Sequence, residues 1–327
     1  MGTLLKSASV AIATVIGIAC VAATSALAQP YPVRTVRVIV PFPAGGPADM
    51  LARLLSEKLT ERWGQSVVVE NIGGAAGNIG AEATTRAAAD GHTLLLNASS
   101  HVINGILYPK LPYDPIKDFT PITQVASYQH MFVVHPAVAA KTVREFIALA
   151  KSKPGQLTIG NSGIGTPGHL AAELFKTTAG IEIIHVPYKG SAPATTDLLG
   201  GQLTAMFNNP VNTLPYTAAG KMRAIAVTGK QRLTVAPEIP TVAESGFPNF
   251  EAGTWFGLFG PAHVPAAVVT KIRDDVVRAL RLADVQQKLG AQAWDTIGNT
   301  PAEFAAVIRT EHESWSKVIK SAGIRVE

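Results

Sequence analysis

The sequence predicts an α/β protein of two lobes, and three observations lead to this prediction. The first is a short run of apolar, β-branched residues, Val36–Val40, which is typical of a buried parallel strand. It is followed by a glycine loop and by a segment with helical apolar spacing. The second observation is that this arrangement recurs in the second half of the chain. The third is the length of 327 residues, which is enough for two hydrophobic cores.

Residues 1–28 are predicted to be an export signal. Lys6 is their only charge, Ala8–Ala23 forms an apolar core, and Ala26-Leu27-Ala28 fits a cleavage site that precedes Gln29. A retained membrane anchor is the alternative, because the apolar run approaches membrane-spanning length. The small residues and the cleavage site favour removal, so we predict a periplasmic mature protein.

The mature chain has the composition of a globular protein. It would contain 299 residues (327 less 28), with 27 basic residues (28 less Lys6) and 23 acidic ones, a net charge of +4. No dense run of Lys or Arg is present, so nucleic acid is not predicted as a partner. Because the only cysteine, Cys20, lies in the export segment, the mature chain is predicted to have no disulfide and no thiolate metal site.

The first glycine loop, Pro41–Asp49, is the stretch around which the prediction is organised. Its paired glycines, Gly45 and Gly46, allow the backbone to approach another group closely. The helix predicted after it offers unpaired N–H groups and a partial positive charge at its N-terminus, which suits an anion. An ordinary turn between a strand and a helix is the alternative.

The segments that follow alternate between strands and helices. A second strand precedes a glycine-rich loop that does not match the dinucleotide pattern G-x-G-x-x-G, so a tight turn before a helix is predicted there. A third strand runs into the polar cluster Asn97–His101, and ligands of open α/β sheets lie at such carboxyl ends. In order, these segments are strand Val67–Glu70, loop Asn71–Gly80, helix Ala81–Ala89 and strand Thr93–Leu96.

The second half of the chain repeats the arrangement. A crossing between the lobes is predicted near Met131–Val134, and the return crossing within Trp255–Gly260. Capping boxes predict helices that begin at Thr142 and Thr300, and Pro167 suits the first turn of another helix. The remaining predicted strands are Leu157–Ile159, Ile183–Val186, Leu203–Phe207 and Ala224–Val227.

Sequence patterns for catalysis and for bound metals are absent. The run Gly160-Asn161-Ser162-Gly163 places its second glycine one position early for a G-x-S-x-G nucleophile elbow. Neither an H-E-x-x-H motif nor a P-loop is present, and no two histidines have metal-ligand spacing on a predicted helix. An enzyme would need a general base; the candidates are Asp49 and His101, and Asp49 is better explained by its favourable position at a helix start. We therefore predict a protein that is not an enzyme and that has no cofactor or metal.

The remaining chemistry consists of hydroxyls, amides and loop N–H groups at the carboxyl ends of strands in both lobes. A neutral cleft rich in hydrogen-bond donors favours a carboxylate, because hydrogen bonds to a charged group contribute about 1.5–3 kcal/mol each. Three or four such bonds would give roughly micromolar binding after the costs of ordering. Lys189 could assist, but no cationic side chain is required.

A set of motifs occurs in one order along the chain: PFPAGGPAD, VVVENIGGAAGNIGAE, DGHTLLL, GTPGHLAAELF, VPYKGSAPATTDLLGGQ and IPTVAESGFPNFEAGTWFGLFGPAHVP. Together they resemble the Bug family, the solute receptors of tripartite tricarboxylate transporters, over essentially all of residues 31–327. The resemblance implies a two-lobed type II periplasmic binding protein, a Venus flytrap with two crossover strands. It places lobe 1 at residues 29–130 and 252–327 and lobe 2 at residues 131–251.

The resemblance also implies where a ligand binds. The family grips a carboxylate with two loops, here Phe42–Asp49 and Tyr188–Ala192, through backbone donors and ordered waters. Asn208 stands where many relatives have Asp, and Ser191 where many have Gly, so the far end of the ligand is affected. His169 is either a ligand contact or a structural histidine at a helix start. The predicted ligand-binding residues are Phe42, Ala44, Gly45, Gly46, Asp49, Ser99, Ser100, Asn161, Ser162, Thr166, His169, Tyr188, Gly190, Ser191, Ala192 and Asn208.

The predicted function is that of a monomeric, periplasmic substrate-binding receptor. It captures a small organic carboxylate and delivers it to the membrane components of a tripartite transporter. Relatives bind amino acids, di- and tricarboxylates and aromatic acids, so the resemblance implies a class of ligand and not one compound. A sensor that presents its ligand-bound form to a signalling partner is the alternative, and neighbouring genes for membrane components would favour transport.

Overall fold

The computed structural model describes residues 31–108 and 110–322 of the chain. The predicted export segment, residues 1–28, lies outside the described residues. From Arg34 onward the chain forms one unit that contains two mixed β-sheets with helices around them. Separate hydrophobic clusters pack against the two sheets. The predicted α/β class with two lobes is therefore confirmed.

The first sheet carries the glycine loop at the start of the chain. Its strands are β1 (Val36–Val40), β2 (Val67–Asn71), β3 (Thr93–Ala98), β4 (Phe119–Gln129), β10 (Gly253–Pro261) and β11 (Asp295–Thr296). Their order across the sheet is β11-β4-β10-β3-β1-β2. Strand β1 is parallel to β2 and β3, whereas β10 is antiparallel to β3 and β4. The carboxyl ends of β1 and β3 therefore lie at the same edge of this sheet.

The second sheet is formed by the middle of the chain. Its strands are β5 (Met131–Val134), β6 (Thr158–Asn161), β7 (Ile184–Pro187), β8 (Ala205–Asn208) and β9 (Arg223–Val227). Their order is β7-β6-β8-β5-β9, with β6 parallel to both β7 and β8. Phe132 and Phe207 stack in its core with ring centroids 4.3 Å apart. The predicted strands of this half match the observed ones within two residues.

Ten α-helices are described. They are α1 (Pro47–Trp63), α2 (Asn78–Thr85), α3 (Ser100–Leu107), α4 (Val143–Ser152), α5 (Pro167–Ala179), α6 (Ser191–Leu199), α7 (Leu214–Ala218), α8 (Ala266–Leu280), α9 (Ala283–Gly290) and α10 (Pro301–Ala322). Both capping boxes are confirmed: Glu145 N–H donates to Thr142 Oγ1 and Glu303 N–H to Thr300 Oγ1, each over 3.2 Å. No helix in the described part of the chain is both long enough and apolar enough to cross a membrane.

The predicted helix Ala81–Ala89 is wrong in its bounds. Helix α2 begins at Asn78, directly after Gly77, whose φ of +98° ends the preceding turn. It ends at Thr85.

The chain passes from the first sheet to the second at His130, between β4 and β5, and it has returned by Gly253, where β10 begins. The prediction that the return lies within Trp255–Gly260 is wrong, because that stretch pairs with β4 along its whole length. The two crossings lie side by side, since Gly253 pairs with Gln129. Thr228 joins them: His130 N–H donates to Thr228 Oγ1 over 2.8 Å, and Ala252 N–H donates to the Thr228 carbonyl over 2.9 Å.

Candidate ligand-binding site

A cavity of about 80 Å³ is lined by residues of both sheets and of the loops that follow their strands. Ala98 ends β3, Asn208 ends β8, and Ser162 follows β6, so the cavity lies at the carboxyl ends of strands. A single water needs roughly 10–15 Å³ on the same measure, so the space is large enough for a small organic molecule.

Part of the predicted set of site residues meets at this cavity and part does not. Those that line it are Phe42, Ala44, Gly46, Ser162, Thr166, Gly190, Ser191, Ala192 and Asn208. Those that do not are Gly45, Asp49, Ser99, Ser100, Asn161, His169 and Tyr188. Most residues of the second group hold the loops in place through hydrogen bonds, whereas the Ser100 hydroxyl is buried without a partner among the described residues.

Three helices begin at the cavity. The first residues of α1 (Pro47 and Ala48), of α5 (Pro167 and Gly168) and of α6 (Ser191 and Ala192) all line it. The capping positions Gly46, Thr166 and Gly190 provide no side-chain hydrogen bond to these helices. The first-turn N–H groups therefore lack a side-chain acceptor, and three helix dipoles direct their positive ends at one space. Such an arrangement binds an anion.

Asp49 organises the first glycine loop from behind. Its carboxylate accepts hydrogen bonds from Gly45 N–H, from Arg53 Nε and from Asn71 Nδ2, each over 3.0 Å. Burial alone would raise the pKa of Asp49, but these three partners hold the pKa below its usual range. Gly45 has a φ of +80°, which favours glycine, whereas Gly46 has an ordinary φ of −84°. The buried carboxylate is thus a loop anchor.

The second glycine loop is held in the same way. Gly190 N–H donates to the Ser162 carbonyl over 3.2 Å, and the Tyr188 hydroxyl donates to Asp197 over 2.6 Å. Gly190 has a φ of +118°, and a Cβ there would lie 3.3 Å from Cγ of Pro43 in the first loop. The two loops therefore lie close together at the cavity, and this φ and the tight contact both favour glycine.

The hydroxyls and amides around α3 and α5 bond mainly to their own loops. Asn161 Oδ1 accepts from Gly163 N–H over 3.0 Å, and Ser162 Oγ donates to Thr166 Oγ1 over 3.1 Å. Ser99 Oγ lies 3.0 Å from Thr254 Oγ1. These bonds fix the shape of the strand ends.

His101, the other candidate general base, is a core residue. Its side chain is fully buried, and Nε2 lies 2.9 Å from the Pro115 carbonyl. Burial lowers the pKa of His101 to about 4. The ring packs edge-on against Phe119, with centroids 4.5 Å apart. It does not line the cavity.

His130 lines the cavity, and the sequence analysis missed it. Its side chain is 3% exposed, and neither ring nitrogen has a hydrogen-bond partner among residues 31–108 and 110–322. Burial lowers the pKa of His130 to about 4 against the opposing effect of the Asn208 backbone, so the ring is neutral at pH 7. The sequence signal that could have identified His130 was its position directly before the predicted crossing at Met131–Val134. Other lining residues absent from the predicted set are Pro43, Pro47, Ala48, Ala98, Tyr128, Pro167, Gly168, Lys189, Pro193, Met206, Phe207, Asn209, Thr254 and Phe256.

One cluster in the described part of the chain has the donors to hold a metal ion. His169 and Glu173 lie one turn apart on α5, and His185 Nε2 on β7 lies 2.9 Å from Glu173 Oε1. Lys176 Nζ lies 3.5 Å from the same carboxylate. Burial alone would raise the pKa of Glu173, but His185 and Lys176 hold it at about 2. A neighbouring ammonium group opposes a metal cation, so an ion-pair network explains the cluster.

Comparison with known proteins agrees with this architecture. A family model described as "Tripartite tricarboxylate transporter family receptor" matches residues 51–324. Protein BugT of Bordetella pertussis is 35% identical over 312 residues, which cover 93% of this chain and 96% of BugT.

Two solved structures share the whole fold. One, described as a periplasmic transporter, has a TM-score of 0.87 and 41% identity and covers 91% of this chain and 100% of its own. The other, Rpa4515 of R. palustris with adipate, has a TM-score of 0.86 and 37% identity. The match covers 90% of this chain and 99% of Rpa4515. The architecture is that of a two-lobed type II periplasmic binding protein, and the chain belongs to the Bug-type receptors of the tripartite tricarboxylate transporter family.

Proposed function

We propose that this chain is a periplasmic receptor that binds a small organic carboxylate between its lobes and delivers it to the membrane components of a tripartite transporter. The observation that carries the proposal is the meeting of three helix N-termini, those of α1, α5 and α6, at one cavity. Helix N-termini favour a negative charge and provide N–H donors for carboxylate oxygens. The family and the fold are those of solute-binding receptors, which capture a ligand without transforming it.

The proposed lobes are residues 29–130 with 252–327, and residues 131–251. Support comes from sheet membership, since β5 to β9 form one sheet and all other described strands form the other. The proposed carboxylate contacts are the N–H groups at the starts of α1, α5 and α6, with Lys189 at the exposed rim. A ligand held by both lobes binds the closed state better than the open one, and this difference in affinity drives closure.

The proposed cellular role follows from the family and from the N-terminal segment. The predicted cleavage before Gln29 would release the protein into the periplasm, and the similar structure described as a periplasmic transporter supports that location. We propose a monomer whose closed form docks on the membrane components. Deletion of the gene should abolish uptake of the ligand, and a variant that does not bind the ligand should fail to restore uptake.

Binding is tested on purified residues 29–327 by calorimetry and thermal unfolding. The probes are adipate, succinate, citrate, glutamate and benzoate, each beside its neutral amide. Adipate is included because the similar protein Rpa4515 was solved with it. A carboxylate at 100 times its dissociation constant should raise the free energy of unfolding by about 2.7 kcal/mol, and its amide should not. If no carboxylate stabilises the protein, or if the amides do so equally, the proposal is wrong.

A further inference from the structure

Six of the residues that line the cavity form a set without a charged side chain, here called the uncharged wall. Its residues are more than nine-tenths buried: Tyr128, His130, Met206, Phe207, Thr254 and Phe256. Lys189, which is exposed, is the only Lys, Arg, Asp or Glu among the described residues that line the cavity. The positive potential for an anion is therefore concentrated at the helix N-termini and at the rim.

Polar groups next to this wall are already engaged with each other. Asn208 Nδ2 donates to Thr195 Oγ1 over 2.9 Å, and Asn208 Oδ1 accepts from Asn209 N–H over 2.9 Å. Asn209 Oδ1 accepts from Asn212 N–H, also over 2.9 Å. Thr254 Oγ1 lies 3.0 Å from a serine hydroxyl. A second carboxylate pushed against this wall would lose its hydration without gaining a charged partner, which is costly.

Two polar groups on this wall, the Tyr128 hydroxyl and the His130 ring, form no side-chain hydrogen bond within residues 31–108 and 110–322. Both ring nitrogens of His130 are buried and have no well-formed hydrogen bond among the described residues, although the Asn208 backbone lies close enough to raise the pKa of the ring. The ring stands edge-on to Tyr128, with centroids 5.4 Å apart. A neutral imidazole offers one donor and one acceptor, and a buried pair of such atoms needs a partner. A ligand hydroxyl, which both donates and accepts, matches it.

We infer that the ligand is a small monocarboxylate whose other end is uncharged, with an apolar or aromatic body and a hydroxyl that pairs with His130. The inference rests on the proposed function, because the three helix N-termini are taken as the site of the single carboxylate. His130 then determines specificity at the far end of the ligand, while the helix N-termini determine affinity for the carboxylate.

Two matched series of probes test this inference by calorimetry. The first is benzoate, 4-hydroxybenzoate and terephthalate; the second is butyrate, 4-hydroxybutyrate and succinate. Within the series that binds more tightly, the hydroxy acid should bind at least about tenfold more tightly than the dicarboxylate, because the second charge is left without a partner. It should bind about fivefold more tightly than the unsubstituted acid, the usual effect of one hydrogen bond.

Variants at His130 separate this role from general packing. In His130→Phe the preference for the hydroxy acid over the unsubstituted acid should fall below about twofold, while the affinity for the unsubstituted acid stays the same. His130→Gln, which retains a donor and an acceptor, should restore part of the preference and shows whether loss in His130→Phe reflects misfolding. His312→Phe on α10, away from the cavity, is the control and should behave as the original protein.

The outcomes distinguish a failure of this inference from a failure of the proposed function. If a dicarboxylate, a tricarboxylate or an amino acid is the tightest ligand in the wider screen, the inference is overturned and the proposed function stands. An unchanged hydroxyl preference in folded His130→Phe overturns the role of His130. If no carboxylate binds at all, the proposed function itself fails.

Discussion

Substitution of Gly190 by alanine tests whether the second glycine loop forms part of the site. Gly190 has a φ of +118°, and the new Cβ would lie 3.3 Å from Cγ of Pro43, closer than ordinary contact. An alanine held at such a φ costs about 1–3 kcal/mol. We expect the crowding to push the loop away from Pro43 and to carry the first N–H groups of α6 out of position in the cavity.

The size of the effect follows from those N–H groups. Loss of one hydrogen bond to a carboxylate costs about 1.5–3 kcal/mol, so we expect the dissociation constant to rise at least about tenfold. Gly246→Ala is the matched control: Gly246 has a φ of +115°, but its nearest neighbour for a Cβ is Arg144 Nη2 at 3.8 Å, and it does not line the cavity. Both variants should lose a similar amount of stability, since the backbone strain is alike.

The assay combines calorimetry with the tightest carboxylate of the screen and denaturant unfolding of the free protein. We expect Gly246→Ala to keep its affinity within about twofold despite its lower stability. The reasoning is refuted if Gly190→Ala is folded and binds the carboxylate as tightly as the original protein. In that case the start of α6 is not a binding element, and the contact between the two loops is a packing feature only.

Four further predictions concern the loop anchor, a buried acid, closure and export. Asp49→Asn removes the charge that holds Gly45 and Arg53, so the free energy of unfolding at pH 7 should fall by about 1–3 kcal/mol. An unchanged free energy of unfolding would contradict the anchor role. Burial raises the pKa of Glu311 to about 7 from 4.5, so the folded state binds this proton more tightly than the unfolded state. Stability should therefore fall by about 3 kcal/mol between pH 5 and pH 9 on account of this group, and Glu311→Gln should remove that part of the pH dependence in thermal unfolding. Small-angle scattering should show a smaller radius of gyration with a tight ligand, and an unchanged radius together with fixed distances between the lobes would exclude closure. Mass spectrometry of the periplasmic fraction should give a chain that begins at Gln29, whereas an intact residue 1 would contradict cleavage.

Local signals in the sequence were sufficient for the elements that place the anion site. The helix after the first glycine loop was predicted from its apolar spacing, the start of α5 follows from Pro167, and the start of α10 follows from Thr300 and Glu303. These signals act between residues a few positions apart, because a helix start is determined by the groups that cap its first turn. The strand ends that precede the loops were equally readable, since each strand is a short apolar run.

Only the tertiary structure decided which other residues line the cavity with those helix starts. Tyr128 and Thr254 face each other through the pairing of β4 with β10, across more than a hundred residues of intervening chain, and no local pattern encodes that register. For the same reason the run Trp255–Gly260 was mistaken for a crossing, because an apolar run looks alike in a central strand and at a lobe boundary. His130 reaches the cavity because the two crossings lie side by side. The sequence by itself thus determined the helix starts that we propose as donors for a carboxylate, while the long-range pairing of strands determined the uncharged wall of the same cavity.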